Sequence, residues 1–386
     1  MKPKERILKA ISGEVPDRVP SIPKIWVDLA ANLMDVSLLE IIQEPYLALK
    51  VIADAAISIK ADGARQFHFP QRKVIVEEEK VIEIGEHAKH LGEIDMMGGL
   101  VTQLYDNNSI DLTNPYHVAH QHFWKTPEPL IRNMKDVKSL AVPDKKFYHD
   151  TDCAKRQKKI LNSIGDKIFL IGDCNSATLA FYVDLCGYEK ALFDLVDNPS
   201  LVHATMEKGV AIAVERGKFN IDIGLNVLRL NDSVANMSVI SPEFWREYIF
   251  PHMKEVCSEL HNYCPESKIY CHICGNILPI VDDLIKTGLD CIGPLDPLGY
   301  FTPGEVREKA GEQVSLMGGI NTMSFIQREP EEVMEEARQC MQEAGRKGRY
   351  ILSSGCVIPR IAKRENLVAL NDAVKKYGNY KNGKLK

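Results

Sequence analysis

The sequence predicts an α/β fold, a (β/α)8 TIM barrel with a cap inserted after the second strand. Short apolar runs typical of strands alternate with longer runs typical of helices, and the alternation counts to eight units. The strand-like runs end in Gly, Asn, Asp, Cys or His, residues that suit the carboxyl ends of barrel strands, where barrel enzymes place their sites. No Gly-x-Gly-x-x-Gly follows an early strand, which disfavours a doubly wound dinucleotide-binding sheet. A single barrel domain over 1–386 is therefore expected.

The elements are predicted from apolar runs and from Pro, Gly and charged residues at their ends. Predicted strands cover 19–25, 64–69, 168–172, 224–230, 268–272, 290–292, 314–317 and 350–353. Predicted helices cover 38–60, 151–164, 177–186, 199–218, 242–264, 277–287, 303–310, 330–345 and 365–377. Residues 70–145 interrupt this order with a predicted β-hairpin, 73–77 with 80–84, and polar, aromatic-rich sequence. We interpret this insertion as the cap.

Composition excludes several classes of protein. The net charge is −5 and no basic stripe is present, which argues against a nucleic-acid partner. No apolar run approaches the ~20 residues of a membrane span, and the start lacks the apolar region of a signal peptide. A cytoplasmic protein without a membrane partner is therefore expected. Ten cysteines without framework spacing are then expected to be reduced thiols or metal ligands.

A His-x-Cys-Gly motif closes the fifth predicted strand, and a Ser-Ser-Gly-Cys closes the eighth. The spacing of His272 and Cys274 puts both side chains on one face, whereas Cys271 should point away into packing. In a barrel, both strand ends open on one face, so Cys356 can join them. Three ligands leave a fourth position open, as in catalytic zinc sites. The alternative without a metal is a histidine whose hydrogen bonds are made within the protein, beside buried thiols.

The ends of other predicted strands supply further candidates. Asp173 and Asp232 are expected as catalytic acid–base groups, although each precedes a predicted helix and is equally typical of a helix cap. The substrate-binding candidates are His68, Asn231, Asn321 and, from the insertion, Trp124. Asn321 can likewise act as a cap.

Four segments carry a family resemblance. They are Glu5-Arg-Ile-Leu-Lys-Ala-Ile-Ser-Gly-Glu with Asp17-Arg-Val-Pro, Ser241-Pro-Glu-Phe-Trp-Arg-Glu-Tyr, His272-Ile-Cys-Gly-Asn and Gly318-Gly-Ile-Asn. The chain resembles the uroporphyrinogen decarboxylase superfamily, and the His-x-Cys with a late Cys is similar to its corrinoid-dependent methyltransferase branch. The resemblance implies a TIM barrel and a zinc ion held by His272, Cys274 and Cys356.

One departure separates the branches of this superfamily. The decarboxylases have an Arg-Gln-Ala-Gly-Arg segment after the first strand, and here Ile25-Trp-Val-Asp-Leu-Ala-Ala-Asn stands in that region without an arginine. Because bidentate arginine is the natural clamp for a polycarboxylate, decarboxylation of uroporphyrinogen is disfavoured. A metal-free porphyrinogen decarboxylase variant stays open as an alternative.

The resulting hypothesis is a zinc-dependent methyltransferase that moves a methyl group between a small molecule and the cobalt of a separate corrinoid protein. The cobamide is assigned to that partner, because the chain lacks the Asp-x-His-x-x-Gly of cobalamin-carrying domains. Two substrates fit: a methoxylated aromatic ether, with zinc acting as a Lewis acid, or a thiol of the coenzyme M type, bound as thiolate. Clustered aromatic and imidazole side chains in the insertion favour the ether, since they can wall a pocket for a planar substrate. They are Tyr105, Tyr116, His117, His120, His122, Phe123 and Trp124.

Overall fold

A computed structural model describes residues 1–78, 80–84, 92–95, 99–100, 107–121 and 125–386. Seven parallel strands form one sheet, paired in the order β1-β6-β7-β8-β9-β10-β11. Their bounds are β1 Gly63–Arg65, β6 Phe169–Asn175, β7 Val227–Asn231, β8 Lys268–His272, β9 Cys291–Leu295, β10 Ser315–Ile320 and β11 Tyr350–Ser354. The remaining strands are β2 Val74–Glu77, β3 Lys80–Glu83, β4 Gly92–Asp95, β5 Gly99–Leu100, β12 Tyr380–Lys381 and β13 Lys384–Leu385.

An extended segment, residues 20–22, closes this sheet into a barrel. On one side the Ile22 N–H donates to the Leu352 carbonyl at 2.9 Å, and the Leu352 N–H donates to Pro20 at 2.9 Å. On the other side the N–H groups of Asp62 and Gly63 donate to the Ser21 carbonyl at 2.9 and 3.3 Å. The predicted first strand, 19–25, is therefore present as a short bridge. The prolines at 20 and 23 lack the N–H groups that a longer ladder needs. The predicted TIM-barrel fold is confirmed.

Helices cover the outside of the barrel. They are α1 Pro3–Ser12, α2 Val27–Met34, α3 Leu38–Gln43, α4 Pro45–Ser58, α5 Pro115–Ala119, α6 Met134–Ser139, α7 Lys145–Asp150, α8 Asp152–Ile164, α9 Leu179–Cys186, α10 Tyr188–Asp197, α11 Pro199–Asp222, α12 Pro242–Phe244, α13 Phe250–Tyr263, α14 Val281–Lys286, α15 Pro303–Ala310, α16 Ser324–Gln327, α17 Pro330–Ala344 and α18 Arg364–Tyr377. The predicted helix 38–60 is two helices, because Pro45 starts a new one after a non-helical Glu44. The helices that were not predicted are α1, α2, α5, α6, α7, α10 and α16. Among the described residues, no helix is both long and apolar enough to cross a bilayer.

The barrel interior is a separate apolar cluster below the carboxyl ends of the strands. Its members are Ile22, Phe169, Ile171, Val227, Tyr270, Cys291, Met317 and Ile351, together with Ile7, Ala10 and Ile11 of α1. Helix α1 closes the amino-terminal end of the barrel, since the Ser315 hydroxyl at the start of β10 donates to the Ala10 carbonyl at 2.8 Å. Cys271 belongs to the outer cluster between strands and helices. The predicted outward orientation of Cys271 is thus confirmed.

The insertion contains a sheet of its own between β1 and β6. The strands β2 and β3 pair antiparallel from Val74↔Glu83 to Glu77↔Lys80, as the predicted hairpin requires. The sheet continues in the order β2-β3-β4-β5. Val74, Val81 and Ile110 form a small core under it, so the insertion packs part of its own apolar surface.

Buried histidines should make the fold sensitive to acid. Burial, with a contribution from His203, lowers the pKa of His252 to about 4. Between that value and the unfolded value of about 6.5, only the unfolded state binds the proton, so stability falls as pH falls. We expect His252→Gln to flatten the decline in unfolding free energy between pH 6.5 and 4 by up to about 1.4 kcal/mol per pH unit, in urea titrations. Equal slopes for the variant and the wild type would contradict this assignment.

Candidate metal centre

His272 is the last residue of β8 and Cys274 follows two positions later. Asn231, the last residue of β7, is the partner of His272 in the parallel register. The His272 carbonyl accepts the Asp232 N–H at 2.9 Å. Gly275 then turns the chain with φ +86°, and a Cβ there would lie 2.9 Å from the Asn236 side chain. Glycine therefore meets both the conformation and the space that this turn requires.

Cys356 reaches the same point from β11. The Ser354 hydroxyl donates to the Cys356 carbonyl at 2.7 Å and accepts the Lys24 N–H at 3.1 Å, which ties this loop to the closing segment of the barrel. The His272 Nε2 lies 3.9 Å from the Cys356 Sγ. The ligand atoms of His272, Cys274 and Cys356 all lie within 4.8 Å of one another. The structure thus brings the three predicted metal ligands together.

The 3.9 Å between the His272 Nε2 and the Cys356 Sγ is close to the spacing in a tetrahedral zinc site, and the widest pair of the three would have to close by up to about 1 Å. Bonds of about 2.0–2.1 Å to nitrogen and 2.3 Å to sulfur place tetrahedral ligand atoms about 3.6–3.8 Å apart. In the described part of the chain, no other group of three His, Cys, Asp or Glu side chains converges in this way. One imidazole and two thiols leave the fourth position for a non-protein ligand.

The electrostatics of the three ligands favour a cation. Burial, with the positive charges of Lys24, Arg229 and Arg65, holds the pKa of His272 well below its usual range, so the imidazole is neutral. A hydrogen bond from the Cys274 thiol lowers the pKa of Cys356 to about 6 against the effect of burial. The same bond raises the pKa of Cys274. A neutral imidazole beside a thiolate is the protonation state that binds metal.

Asp296 holds the two cysteine loops beside each other. Its carboxylate accepts the Gly275 N–H at 3.0 Å and the Leu298 N–H at 3.1 Å, while burial raises the pKa of Asp296. A Cβ on Gly355 would come within 3.2 Å of the Asp296 Oδ1 and 2.6 Å of Pro297. Residue 355 must therefore be small for the Cys356 loop to lie against the loop after β9.

Asp173 and Asn231, two of the predicted site residues, lie in one polar network. Asp173 is buried and pairs with the Arg229 guanidinium at 2.5 Å. The Asn231 amide oxygen accepts from the same guanidinium at 2.6 Å, and its amide nitrogen donates to the Ser176 hydroxyl at 3.3 Å. Because Asn231 and His272 are register partners, this network borders the metal ligands.

Asp232 binds the start of α9, and Asn321 stabilises a local turn. The buried Asp232 carboxylate accepts the Thr178 hydroxyl and the Ala180 N–H, the latter at 2.7 Å, at the start of α9. Burial raises the pKa of Asp232 to about 6 despite these bonds. The Asn321 side chain accepts the Met323 N–H at 2.9 Å in a local turn.

His68 lies on the outer side of the sheet. Its ring centroid is 5.6 Å from those of Tyr148 and Phe219, and its Nε2 lies 3.4 Å from Gln157 of α8. These contacts place His68 among α7, α8 and α11. Trp124 lies outside the described residues, as do Tyr105, His122 and Phe123.

Four further residues line the barrel interior and were not predicted as site residues. They are Lys24, Arg65, Arg229 and Tyr270, all buried. The signal for two of them was an arginine within a strand-like run, as in Val227-Leu-Arg-Leu-Asn. Its alternation with outward apolar residues indicates an inward-facing charge.

A cavity of about 310 Å³ opens beside β7 and α9. Asn231 and Ser233 line one side, and Tyr188, Lys125 and Pro129 line the others. Burial raises the pKa of Tyr188, and the nearby Cys274 and Asp232 raise it further, so this side chain lies near the metal centre. The volume of the cavity suits a small-molecule ligand.

Residues 125–377, about two thirds of the chain, match the family model described as uroporphyrinogen decarboxylase (URO-D). The chain belongs to the URO-D family. The superfamily resemblance of the sequence is thereby confirmed. The match begins within the insertion and spans β6 to α18, which includes the positions of His272, Cys274 and Cys356.

Characterised relatives of this URO-D family member carry two kinds of name. A methylated-thiol–coenzyme M methyltransferase of Methanosarcina mazei is 27% identical over 46% of this chain and 45% of that protein. A uroporphyrinogen decarboxylase of Thermosynechococcus vestitus is 29% identical over 46% and 49%. A methylcobamide:CoM methyltransferase of Methanosarcina barkeri is 21% identical over 57% and 62%. The matched stretches thus cover about half of each relative. The predicted resemblance to the methyltransferase branch is confirmed.

A solved structure resembles the whole barrel. A methyltransferase from Methanosarcina mazei superposes with a TM-score of 0.71 at 17% identity, over 97% of this chain and 99% of that one. At this identity the likeness establishes the shared fold.

Proposed function

We propose that this URO-D family member is a zinc-dependent methyltransferase. The methyl group moves between a small molecule and the cobalt of a cobamide carried by a separate corrinoid protein. The observation that carries the proposal is the convergence of His272, Cys274 and Cys356 within 4.8 Å at the carboxyl ends of β8 and β11. Relatives named as methyltransferases for methylated thiols and for methylcobamide support it. A cytoplasmic location belongs to the same proposal.

The chain's own residues prepare the site for this chemistry. When bound, zinc supplies a Lewis acid that stabilises negative charge on the oxygen or sulfur that exchanges the methyl group. His272 stays neutral because it is buried among cations, and it offers Nε2 as the ligand atom. Asp296 and Ser354 hold the two loops that present Cys274 and Cys356. The carboxyl end of the barrel is the face on which the corrinoid partner would dock.

The proposed donor is an aromatic methyl ether. The carbon–oxygen bond breaks with its electron pair on oxygen, and the electron pair of cobalt(I) forms the new bond to the methyl carbon. The cavity of about 310 Å³ beside Asn231 has room for an aromatic ring. A thiol of the coenzyme M type is the second candidate, favoured by the names of two relatives.

The proposed roles of the other predicted site residues are supported to different degrees. Asp232, with a pKa of about 6, is the better placed acid–base residue, and Asp173 is engaged with Arg229. Asn231 lines the cavity and is proposed to contact substrate. The proposed substrate roles of His68, Asn321 and Trp124 rest on sequence position alone.

A metal-free porphyrinogen decarboxylase is the rival within the same family. The segment after the first strand lacks the arginines expected to clamp a polycarboxylate. A convergent cluster of one buried histidine and two partly buried cysteines also has no evident use in a reaction without metal. A structural zinc site is the other rival, but three ligands leave such a site one short.

The deciding experiment combines metal analysis with a spectroscopic assay. The purified protein, free cobalt(I) cobamide and a panel of 4-methoxybenzoate, methanol, methylamine and methylated thiols would be followed through the absorbance change on cobalt methylation. We expect about one zinc per chain and methylation by the aryl ether. Methyl transfer involving only thiols would select the second candidate. Decarboxylation of porphyrinogens by the metal-free protein would overturn the proposal.

A further inference from the structure

The barrel interior below the metal centre carries an excess of positive charge. Lys24, Arg65 and Arg229 have exposed fractions of 1%, 3% and 8%, and the Asp173 carboxylate lies among them at 2%. Arg229 and Tyr270 are register partners, and the Lys24 Nζ lies 5.3 Å from the Tyr270 ring. The guanidinium groups of Arg65 and Arg229 lie 5.2 and 5.8 Å from the Phe67 ring, so these side chains surround one space. Three basic side chains face one carboxylate in this group.

Among the described residues, several donors of this group have no hydrogen-bond partner. Arg229 uses Asp173 and Asn231. Within the part of the chain that the structure describes, the Nε and Nη2 of Arg65 and the Tyr270 hydroxyl have no hydrogen-bond partner, although the Arg65 guanidinium lies over the Phe67 ring at 5.2 Å. The Lys24 Nζ lies 3.9 Å from the Met317 sulfur and 5.3 Å from the Tyr270 ring. The unpaired donors thus belong to neighbouring residues.

Burying such donors without partners is costly. Burial and the charge of Arg229 lower the pKa of Arg65 to about 10. Burial, with the charges of Arg65 and Arg229, holds the pKa of Lys24 well below its usual range. Buried charges are normally paired, and an unpaired guanidinium opposes folding unless a ligand supplies the missing anion. A site that binds an anion accounts for this cost, whereas a packing role does not.

The cluster lies two strand residues from the metal ligands, toward the amino-terminal end of the barrel. Arg229 and Tyr270 are register partners on β7 and β8, and Asn231 and His272 are the next inward-facing pair. Two residues of strand span about 6.6 Å. Asn231 also lines the cavity at the mouth of the barrel. Arg229 is therefore one inward-facing position away from Asn231, which borders both that cavity and His272.

We propose that Arg65, Tyr270 and Lys24 form an oxyanion subsite for a carboxylate or sulfonate. The guanidinium of Arg65 would bind two oxygens in its planar fork, with the Tyr270 hydroxyl as a further donor. The second half of the inference rests on the proposed methyl transfer. The small molecule carries its anionic group about 6–7 Å from the atom that exchanges the methyl group, as in 4-methoxybenzoate.

The subsite is tested by binding, apart from turnover. Calorimetric titration of the full zinc-loaded chain with benzoate and ethanesulfonate should show binding, and the neutral benzyl alcohol should bind at least about tenfold more weakly. Arg65→Met should weaken benzoate binding about 10- to 100-fold, as expected for lost charge-assisted hydrogen bonds. Arg65→Lys should recover part of the affinity, since it keeps the charge. Arg346→Met, at an exposed arginine, is the matched control and should bind like the wild type.

Folding separates a binding role from a structural one. If Arg65 serves the ligand, Arg65→Met should unfold at an equal or higher temperature than the wild type without anion, because an unpaired buried charge is gone. Unchanged benzoate affinity in Arg65→Met would overturn the subsite. Methyl transfer from neutral ethers as fast as from anionic ones would overturn the assigned substrate class while leaving methyl transfer intact. If anion binding depends on Arg65 but the protein transfers no methyl group, the subsite would be supported and the proposed function would be refuted.

Discussion

Cys356→Ala protein is expected to stay folded, bind less zinc and lose methyl transfer by roughly 10³-fold or more. Lewis-acid stabilisation contributes several kcal/mol to the transition state, and each 1.36 kcal/mol is a factor of ten in rate. Cys356 is only partly buried and lies in a loop after β11, so its truncation leaves little core unfilled. Zinc content by mass spectrometry, methylation of cobalt and thermal unfolding would be measured on one preparation.

Cys271 offers a matched control for this experiment. It is a buried cysteine directly before His272 whose thiol belongs to the outer core, so Cys271→Ala should keep both zinc and activity. Its unfolding temperature should fall slightly for the lost packing. Unfolding of Cys356→Ala or His272→Ala, with Cys271→Ala intact, would indicate a structural metal site. Full activity in Cys356→Ala would exclude Cys356 from the chemistry.

The convergence of His272, Cys274 and Cys356 was predictable because each step of the inference is local. The spacing of His272 and Cys274 fixes their common face through the period of two along a strand. Gly275 marks the turn that follows, and the barrel rule brings Cys356 to the same end. The long separation between Cys274 and Cys356 is irrelevant once both follow strands of one barrel.

The charged interior was not predictable in the same way. The missing arginine after the first strand disfavours a clamp for a polycarboxylate, but Arg65 and Arg229 reach the interior from other strands. The alternation within one strand predicts the side on which Arg229 lies, but which charged side chains of other strands meet it depends on the pairing register, which the sequence does not specify. The partners that cap α9 through Asp232 are likewise set by packing of separate segments.

The opening residues of the chain, which carry part of the family resemblance, also have a structural role. Arg6 pairs with Asp17 at 2.7 Å, and both Arg6 and Arg18 pair with the buried Asp62. Asp62 also accepts the Ser21 N–H at 2.9 Å. The network therefore fastens α1 and the closing segment of the barrel to the start of β1.

Replacing Asp62 with alanine should consequently cost about 3–5 kcal/mol of unfolding free energy, because both guanidinium groups lose a buried counter-charge. Arg6 donates to this carboxylate at 2.7 Å and Arg18 donates twice, at 2.8 and 2.9 Å. Urea denaturation at neutral pH would measure the loss. Asp166→Ala, which removes an exposed partner of Lys2, should leave stability unchanged.

Since Lys24 and Cys356 are attached to the same closing segment through Ser354, Asp62→Ala should also lower zinc affinity at temperatures where the chain is still folded. A destabilised variant with wild-type zinc affinity would show that the metal centre does not depend on this closure.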